Sequence, residues 1–349
     1  MRVKPCGASV YGIDLGKSTF HVVGTDAIGH LVQRVTLSRQ TIFHFFANAS
    51  TALVGMEACP GSQWLARKLA AMGHTVKIIP AQFVKPYVKS NKSDLIDAAA
   101  IAEAFTRPSM RFVTPKSTEQ VEIQALHRIR DRVVTCKTQL INQIRAFCLE
   151  FGIGIRHGVG MFKADFPAAL ADESNDLTPR MRVLLEGMWT EFGALESRLA
   201  ELNKEIEGLA ARSEIAHRLA SIPGIGPLGA TALIAAVGDG KQFRRARDMA
   251  AWLGLVPRQH STGGKTTLLN MSKRGNSYVR RLLLHGARSC VLHLNRQRDR
   301  LGIWIAELST RMHTNKVAVA LANKLARVAW VVLTRPGSLY RGERDIALA

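Results

Sequence analysis

In the first part of the chain, short apolar segments precede and follow an amphipathic segment. This pattern is typical of β-strands connected by a helix. Residues 9–24 alternate apolar and polar positions about a Gly-Lys-Ser turn and predict a β-hairpin. Residues 52–58 and 74–79 predict short buried strands, and the stretch between them predicts a helix that ends at Gly73. This order predicts an α/β domain with a parallel component.

Longer apolar repeats follow and predict helices. Residues 93–106 predict a helix that Ser93 can cap. Residues 117–151 and 178–220 keep apolar positions at nearly heptad spacing, which predicts an antiparallel helical hairpin or coiled coil and an oligomer contact. An ordinary helical bundle gives the same pattern. The glycine-rich residues 152–160 predict a flexible connection between the two.

The last part of the chain returns to short elements. Residues 221–238 predict a Pro-Gly turn that leads into a small-residue helix, and residues 316–333 predict a final amphipathic helix. We therefore predict an α/β domain over residues 1–116, a helical hairpin over 117–215 and a mainly helical domain over 216–349.

The net charge narrows the classes of function. Lys and Arg total 48 against 27 Asp and Glu, a net charge of +21. Such an excess favours a nucleic-acid partner, because neutralising phosphates releases counterions; a charge that serves solubility, or a ribosome-like charge, is the alternative. Residues 241–300 hold 14 Lys and Arg against two acidic residues, so this stretch is the predicted nucleic-acid face.

Other site classes are disfavoured by composition. The five cysteines are scattered, with no Cys-x-x-Cys pair and no Cys/His cluster, which argues against a disulfide framework and a zinc site. No apolar run approaches the roughly 18 residues of a membrane span, and the N-terminus lacks the apolar segment of a signal peptide. We expect a cytoplasmic protein with no membrane partner.

Four carboxylates form the candidate catalytic set. Asp14 and Glu57 interrupt predicted strands, where a charge is costly unless something compensates it, and Asp94 and Asp97 lie one turn apart on a predicted helix. If the four converge, they could hold hard divalent cations such as Mg²⁺, and two ions could assist phosphoryl transfer. Taken alone, Asp94 is more simply a solvated helix residue or cap. The order of the four acids is the one expected in a ribonuclease-H-like or RuvC-like core.

A second candidate site lies in residues 254–276, which predict a loop around Gly263 and Gly264. Ser261 and Thr262 in this loop could act as nucleophiles if nearby cations, a metal or His260 as a base activated them. A phosphate-binding loop whose serine only hydrogen-bonds DNA is the simpler alternative. The surrounding cations are predicted backbone contacts: Arg258, Lys265, Lys273, Arg274, Arg280 and Arg281.

The segment Ile-Pro-Gly-Ile-Gly at residues 222–226 looks like the hairpin of a helix-hairpin-helix. The backbone N–H groups around Gly224 and Gly226 could hold a phosphate without reading bases. A purely structural turn is the alternative.

In their order along the chain, these motifs resemble one family. YGIDLGKSTFHVV, GMEACPGS and NKSDLIDAAAIAEA resemble the RuvC-like domain of the DEDD transposases of insertion-sequence family one-hundred-ten, in particular its eleven-eleven group. IPGIG, AWLGLVPRQHSTGGK and SKRGNSYVRRLLLHGAR resemble its C-terminal transposase domain. The resemblance covers nearly the whole chain. It implies a RuvC-like domain, a coiled-coil hairpin and a mainly helical C-terminal domain with a helix-hairpin-helix-like segment.

The resemblance also implies an activity. Members of the family are DNA recombinases that move their own element, guided by a structured non-coding RNA that pairs with donor and target DNA. The family uses four acids as Mg²⁺ ligands, and by resemblance these are Asp14, Glu57, Asp94 and Asp97. The resemblance also implies that a serine forms a covalent link to a DNA 5′ phosphate. The acids and the serine would meet from different protomers of a dimer or tetramer.

The position of the serine leaves an ambiguity. In some relatives the nucleophile directly precedes the first glycine, which would be Thr262 here. The loop after it is a residue shorter than in those relatives, so we favour Ser261, one residue earlier. A RuvC-like nuclease that hydrolyses DNA with a metal-bound water is the alternative function. A nucleic-acid-binding protein without catalysis is a further one, against which the four acids argue.

Overall fold

The hairpin predicted at the start of the chain begins a five-stranded mixed sheet. The computed structural model describes residues 4–88, 93–297 and 299–342, and the chain divides into two compact units, Met1–Thr118 and Glu119–Ala349. In the first unit the strands lie in the order β3-β2-β1-β4-β5, where β1, β2 and β3 pair antiparallel and β1, β4 and β5 pair parallel. Its elements are β1 Val10–Leu15, β2 Thr19–Thr25, β3 Leu31–Ser38, α1 Thr41–Ala47, β4 Leu53–Glu57, α2 Ser62–Ala71, β5 Thr75–Ile79, α3 Ala81–Val84, a 3₁₀ turn Lys85–Tyr87 and α4 Asp94–Phe105.

The predicted elements of this unit are confirmed, and two elements were missed. The hairpin, both buried strands, α2 with its stop at Gly73 (φ +93°), and α4 all form. Ser93 occupies the N-cap position of α4, but its side chain accepts no capping hydrogen bond, so that detail was wrong. The edge strand β3 and the short helix α1 escaped notice because β3 is largely exposed and lacks a continuous apolar run.

Helices dominate the second unit, together with one two-stranded sheet. Its elements are α5 Thr118–Glu150, α6 Val159–Ala171, α7 Pro179–Ala211, α8 Glu214–Ala220, α9 Pro227–Val237, α10 Ala246–Trp252, β6 Pro257–Thr262, β7 Lys265–Met271, α11 Ser277–His293, α12 Arg300–Ser309 and α13 Thr314–Thr334. The fold is therefore a mixed α/β unit followed by a mainly helical one, in agreement with the predicted class.

Helices α5 and α7 run antiparallel to each other. Arg130 on α5 donates to Asn203 on α7 at 2.7 Å, and Lys137 lies 3.2 Å from Glu196. The contacting residues are seven positions later on α5 and seven positions earlier on α7. This is the spacing expected of two antiparallel helices with a heptad pattern. Apolar side chains fill the contact: Leu126, Val133, Leu202 and Ile206.

Two predicted details of this region were wrong. The second helical pattern is not continuous over 178–220: α7 ends at Ala211, and the Ser213 side chain caps a separate helix α8. The connection predicted over 152–160 is shorter, because α6 begins at Val159, and Arg145 donates to the carbonyls of Arg156 and Gly158 within it. Local polar contacts fix both segments, and a count of apolar spacing does not reveal them.

The last helix is a core element. Among the described residues, α13 alone is long and apolar enough to cross a membrane, so the expectation that no such stretch exists was wrong. Half of its most apolar stretch is buried within the protein. Val317, Leu321 and Leu325 are fully buried in the apolar core of the second unit, which accounts for the apolar character of the helix.

Candidate functional site

Helix α4 lies directly on the sheet because two glycines leave room for it. Gly12 of β1 and Gly55 of β4 are partners in the parallel register. A Cβ at Gly12 would lie 2.2 Å from the carbonyl oxygen of Ala98, and one at Gly55 would lie 2.7 Å from the Phe105 ring. A side chain at either position would push the helix away, so the pair determines how closely α4 approaches the strands.

We expect Gly12→Ala to destabilise the first unit by roughly 1–3 kcal/mol or more, because the added methyl meets helix backbone that cannot yield. Thermal and denaturant unfolding measure the change. Gly187→Ala is the matched control: this glycine lies inside α7 with nothing within 4 Å of an added Cβ. The free energy of unfolding of Gly187→Ala should rise by about 1 kcal/mol, because alanine has a higher helix propensity than glycine. Equal effects of the two substitutions would contradict this account.

The same face of the sheet carries the first two acids. Side chains alternate between the two faces of a strand, so Asp14 projects on the side of Gly12, and Glu57 on the side of Gly55. The register pairs Ile13 with Met56, which brings Asp14 and Glu57 to neighbouring positions at the carboxyl ends of β1 and β4.

The first turn of α4 supplies the other two acids, Asp94 and Asp97. Asp94 lies one helical turn before Ala98, the residue in contact with Gly12. This arrangement directs the start of α4 toward the strand ends that carry Asp14 and Glu57.

His21 is a neighbour that the sequence interpretation overlooked. It is the cross-strand partner of Asp14 in the β1–β2 hairpin. One ligand atom each from Asp14, His21 and Asp94 lies within 4.8 Å of the others. His21 Nδ1 is 3.4 Å from Asp94 Oδ2 without hydrogen-bond geometry, and this buried nitrogen has no hydrogen-bond partner among the residues that the structure describes. The signal was available, because a hairpin over 9–24 that turns at Gly-Lys-Ser already sets residue 21 opposite residue 14.

Burial and the charges of the acids shift the pKa values of Asp14 and of the neighbouring Cys59. Burial raises the pKa of Asp14, and the charges of Asp94 and Asp97 raise it further, while His21 opposes the shift. Burial, Glu57 and Asp14 together raise the pKa of the neighbouring Cys59 thiol to about 11. Asp14, Asp94 and Asp97 therefore lie close enough for their charges to interact, and Glu57 and Asp14 both lie near Cys59. A divalent cation fits this group of side chains, because carboxylate oxygens are suitable ligands and no described residue forms a hydrogen bond with the buried nitrogen of His21.

The predicted loop around Ser261 is in fact a β-hairpin. Strands β6 and β7 pair antiparallel, and Gly263 and Gly264, both with positive φ, form the two-residue turn. The pairing sets Ser261 opposite Thr266 and Thr262 opposite Lys265. The prediction of a loop was wrong because the hairpin is exposed along almost its whole length and has no apolar face to mark it.

The hairpin separates the two candidate hydroxyls. Ser261 Oγ accepts a hydrogen bond from Gln259 Nε2 at 2.9 Å and donates to Thr266 Oγ1 at 3.4 Å. Thr262 Oγ1 lies 3.4 Å from His260 Nδ1. Because neighbouring residues of a strand face opposite ways, His260 accompanies Thr262 and Gln259 accompanies Ser261. The structure thus does not bring His260 to Ser261 as a base.

The predicted backbone contacts divide into exposed and buried residues. Arg280 is buried, and its Nη1 donates to the carbonyls of Leu253 and Arg274 at 2.9 and 2.8 Å. Its interpretation as a phosphate contact is corrected, since the guanidinium is used inside the fold. Arg281 pairs with Asp131 and lies over the ring of Tyr278. Five of the six are exposed: Arg258, Lys265, Lys273, Arg274 and Arg281.

The Pro-Gly turn joins α8 to α9 as predicted, and Gly224 packs closely within it. Gly224 has a φ of +80°, and an added Cβ would lie 2.6 Å from the carbonyl of Gly286 on α11. Around Gly226, which caps α9, an added Cβ meets nothing within 4 Å. Packing therefore explains the first glycine, and phosphate binding by this turn stays a prediction.

Comparison with known proteins identifies the family. Residues 11–152 match a DEDD family described as "Transposase", and residues 216–301 match one described as "Transposase IS116/IS110/IS902 family". The transposase for insertion sequence element IS1328 of Yersinia enterocolitica is 45% identical over 94% of this chain and 97% of its own length. The chain belongs to the IS110 family of transposases.

Two further relatives support the assignment of this transposase. A probable family 20 transposase of Pseudomonas aeruginosa is 46% identical over 93% of this chain and 96% of its own length. The transposase for insertion sequence element IS1111A of Coxiella burnetii is 42% identical over 93% and 90% of the two lengths. The transposase is thus an enzyme that acts on DNA, and its DEDD domain implies the use of divalent metal ions.

Proposed function

We propose that this transposase is an RNA-guided recombinase that moves its insertion sequence, uses Mg²⁺ and exchanges DNA strands through a phosphoserine at Ser261. The observation that supports it most is the convergence of Asp14 and Glu57, at neighbouring strand ends, with the first turn of α4. Asp14, Glu57, Asp94 and Asp97 are the proposed metal ligands. Bound divalent cations would stabilise the charge that develops on the phosphoryl oxygens.

The chemical step begins at the hairpin. Ser261 Oγ attacks the scissile phosphorus, the bond from phosphorus to the 3′ oxygen breaks, and the serine proton ends on the released 3′ hydroxyl. Gln259 orients the serine oxygen through its 2.9 Å hydrogen bond. Neither Gln259 nor Thr266 is a base at neutral pH. Proton removal therefore falls to groups outside the hairpin. A divalent cation held by the acids, which the family resemblance places on another protomer, would help to deprotonate Ser261.

Strand exchange completes the reaction. The 3′ hydroxyl of the partner DNA attacks the phosphoserine, a new phosphodiester forms, and Ser261 regains its proton. The serine ester keeps the energy of the original phosphodiester, so no ATP is consumed. Two transesterifications of this kind exchange one strand for another.

The other proposed partners are RNA and further copies of the chain. Exposed cations on and beside the hairpin, Arg258, Lys265, Lys273 and Arg274, suit the phosphates of either nucleic acid. Base pairing with a structured non-coding guide RNA would supply sequence specificity in the cytoplasm. We propose that the antiparallel pair α5 and α7 acts as a coiled-coil contact in a dimer or tetramer.

A hydrolytic nuclease is the second candidate function. One observation favours it: the described hydrogen bonds of Ser261 join it only to neutral groups, while Asp14, His21 and Asp94 lie together within the first unit. In that case water replaces Ser261 as the nucleophile. The products are then free 5′ phosphates without a protein adduct.

Trapping of the covalent link tests the proposal. The purified full chain is mixed with the non-coding RNA of its element, Mg²⁺, and donor and target DNA labelled at the 3′ ends. A denaturing protein gel should show a labelled band that needs both RNA and Mg²⁺ and disappears after protease treatment. Cleavage without that band favours the nuclease. A band that forms equally well without RNA refutes guidance.

A further inference from the structure

The imidazole of His21 is a polar group that the four-acid site does not use. It lies opposite Asp14 on the adjacent strand, with Nδ1 3.4 Å from Asp94 Oδ2. The side chain of His21 is 19% exposed, and Nδ1 itself is buried with no hydrogen-bond partner in the described part of the chain, which omits residues 89–92. A buried nitrogen of this kind costs free energy unless a partner arrives.

The contact with Asp94 alone does not explain this arrangement. The Asp94 side chain is 61% exposed, the distance lacks hydrogen-bond geometry, and ion pairs of exposed groups contribute little. A ring nitrogen of His21 also belongs to a group in which it and one carboxylate oxygen each of Asp14 and Asp94 all lie within 4.8 Å of one another. One nitrogen and two oxygens grouped in this way form the donor set of a mixed metal site.

We propose that His21 is a further ligand of the cation held by Asp14 and Asp94, and that it shifts this position toward transition-metal ions such as Mn²⁺ over Mg²⁺. Mg²⁺ prefers an all-oxygen environment and keeps several waters, whereas imidazole nitrogen strengthens binding of first-row transition metals. Glu57 and Asp97 remain oxygen ligands. The inference rests on the proposed divalent-metal site and adds a residue that sets its selectivity.

Electron paramagnetic resonance of Mn²⁺ tests the assignment without any DNA reaction. Free Mn²⁺ is titrated against the purified full chain, and pulsed spectra report ¹⁴N nuclei coupled to the bound ion. We expect nitrogen coupling in the wild type and its loss in His21→Gln. Because removal of even an outer partner of a metal ligand costs about 10- to 100-fold in affinity, Mn²⁺ should bind at least about tenfold more weakly. Mg²⁺, measured by competition, should change less.

The chain has ten other histidines, and one of them, His30, serves as a matched control for His21. His30 Nδ1 lies 3.5 Å from Asp26 Oδ2, almost the same separation, but in an exposed pair. His30→Gln should retain both the affinity and the nitrogen coupling. Circular dichroism verifies that each variant is folded. The nitrogen coupling in the Mn²⁺ spectrum of the wild type is itself a test that does not depend on the folding of any variant.

The outcomes separate this inference from the proposed metal site. Mn²⁺ that binds the wild type without nitrogen coupling, yet is lost in Asp14→Asn, overturns the role of His21 and leaves the carboxylate site intact. Nitrogen coupling that persists in His21→Gln also overturns it. Failure of the wild type to bind Mn²⁺, or unchanged binding in Asp14→Asn, overturns both.

Discussion

Ser261→Ala is expected to abolish the covalent protein–DNA adduct, and Thr262→Ala is expected to retain it. Alanine supplies no nucleophile, so the rate of adduct formation should fall by more than about 10³-fold. Ser261 Oγ is held by Gln259 and Thr266 on one face of the hairpin, and Thr262 faces the other way beside His260. Both substitutions lie on an exposed hairpin, so neither should disturb the fold.

The measurement is the yield of labelled adduct on a denaturing gel, with DNA labelled at the 3′ end. That label stays with the strand whose 5′ phosphate joins the protein. Thr262→Ser is the conservative control and should behave as the wild type. Loss of the adduct in Thr262→Ala, with Ser261→Ala unaffected, would instead assign catalysis to Thr262 with His260 as its base.

Asp14→Asn is expected to eliminate DNA cleavage and yet to leave the metal-free protein at least as stable as the wild type. Removal of one charged metal ligand weakens both cation binding and stabilisation of the phosphoryl charge, which should lower cleavage by at least about 10²-fold. The same change removes a carboxylate that is half-buried and repelled by Asp94 and Asp97. Cleavage assays and thermal unfolding with and without Mg²⁺ measure the two effects.

The pH dependence gives the sign of the second effect. Because the pKa of Asp14 is raised in the folded state, its ionisation opposes folding at neutral pH. That penalty disappears as the pH falls through the raised pKa toward the ordinary value of a carboxyl group. The stability advantage of Asp14→Asn should therefore shrink on acidification, while added Mg²⁺ should stabilise only the wild type. A variant that unfolds at lower temperature at pH 7 without metal would contradict this explanation.

The acids could be found from the sequence because their local setting is unusual. A charge in an apolar strand stands out, as Asp14 and Glu57 do, and spacing alone sets Asp94 and Asp97 one turn apart. Their convergence could not be derived, since it depends on how α4 docks onto Gly12 and Gly55. Glycine pairs in neighbouring strands become visible only once the register is known.

Exposed elements were the harder ones to predict. Hydrophobic periodicity reveals α5, α7 and α13 because each buries an apolar stripe. The β6–β7 hairpin buries almost nothing, and its only local mark is the Gly-Gly turn. Arg280 shows the converse limit, because a buried arginine that bonds to backbone carbonyls is indistinguishable in sequence from one that binds phosphate.

The raised pKa of Cys59 has a chemical consequence for the neighbouring acids. With a pKa of about 11, only about one thiol in 10⁴ is a thiolate at pH 7. The thiolate is the form of cysteine that reacts as a nucleophile with peroxides and alkylating agents. Burial, together with the charges of Glu57 and Asp14, therefore keeps the sulfur beside the acids almost wholly protonated at pH 7, which slows its reaction with peroxides and alkylating agents.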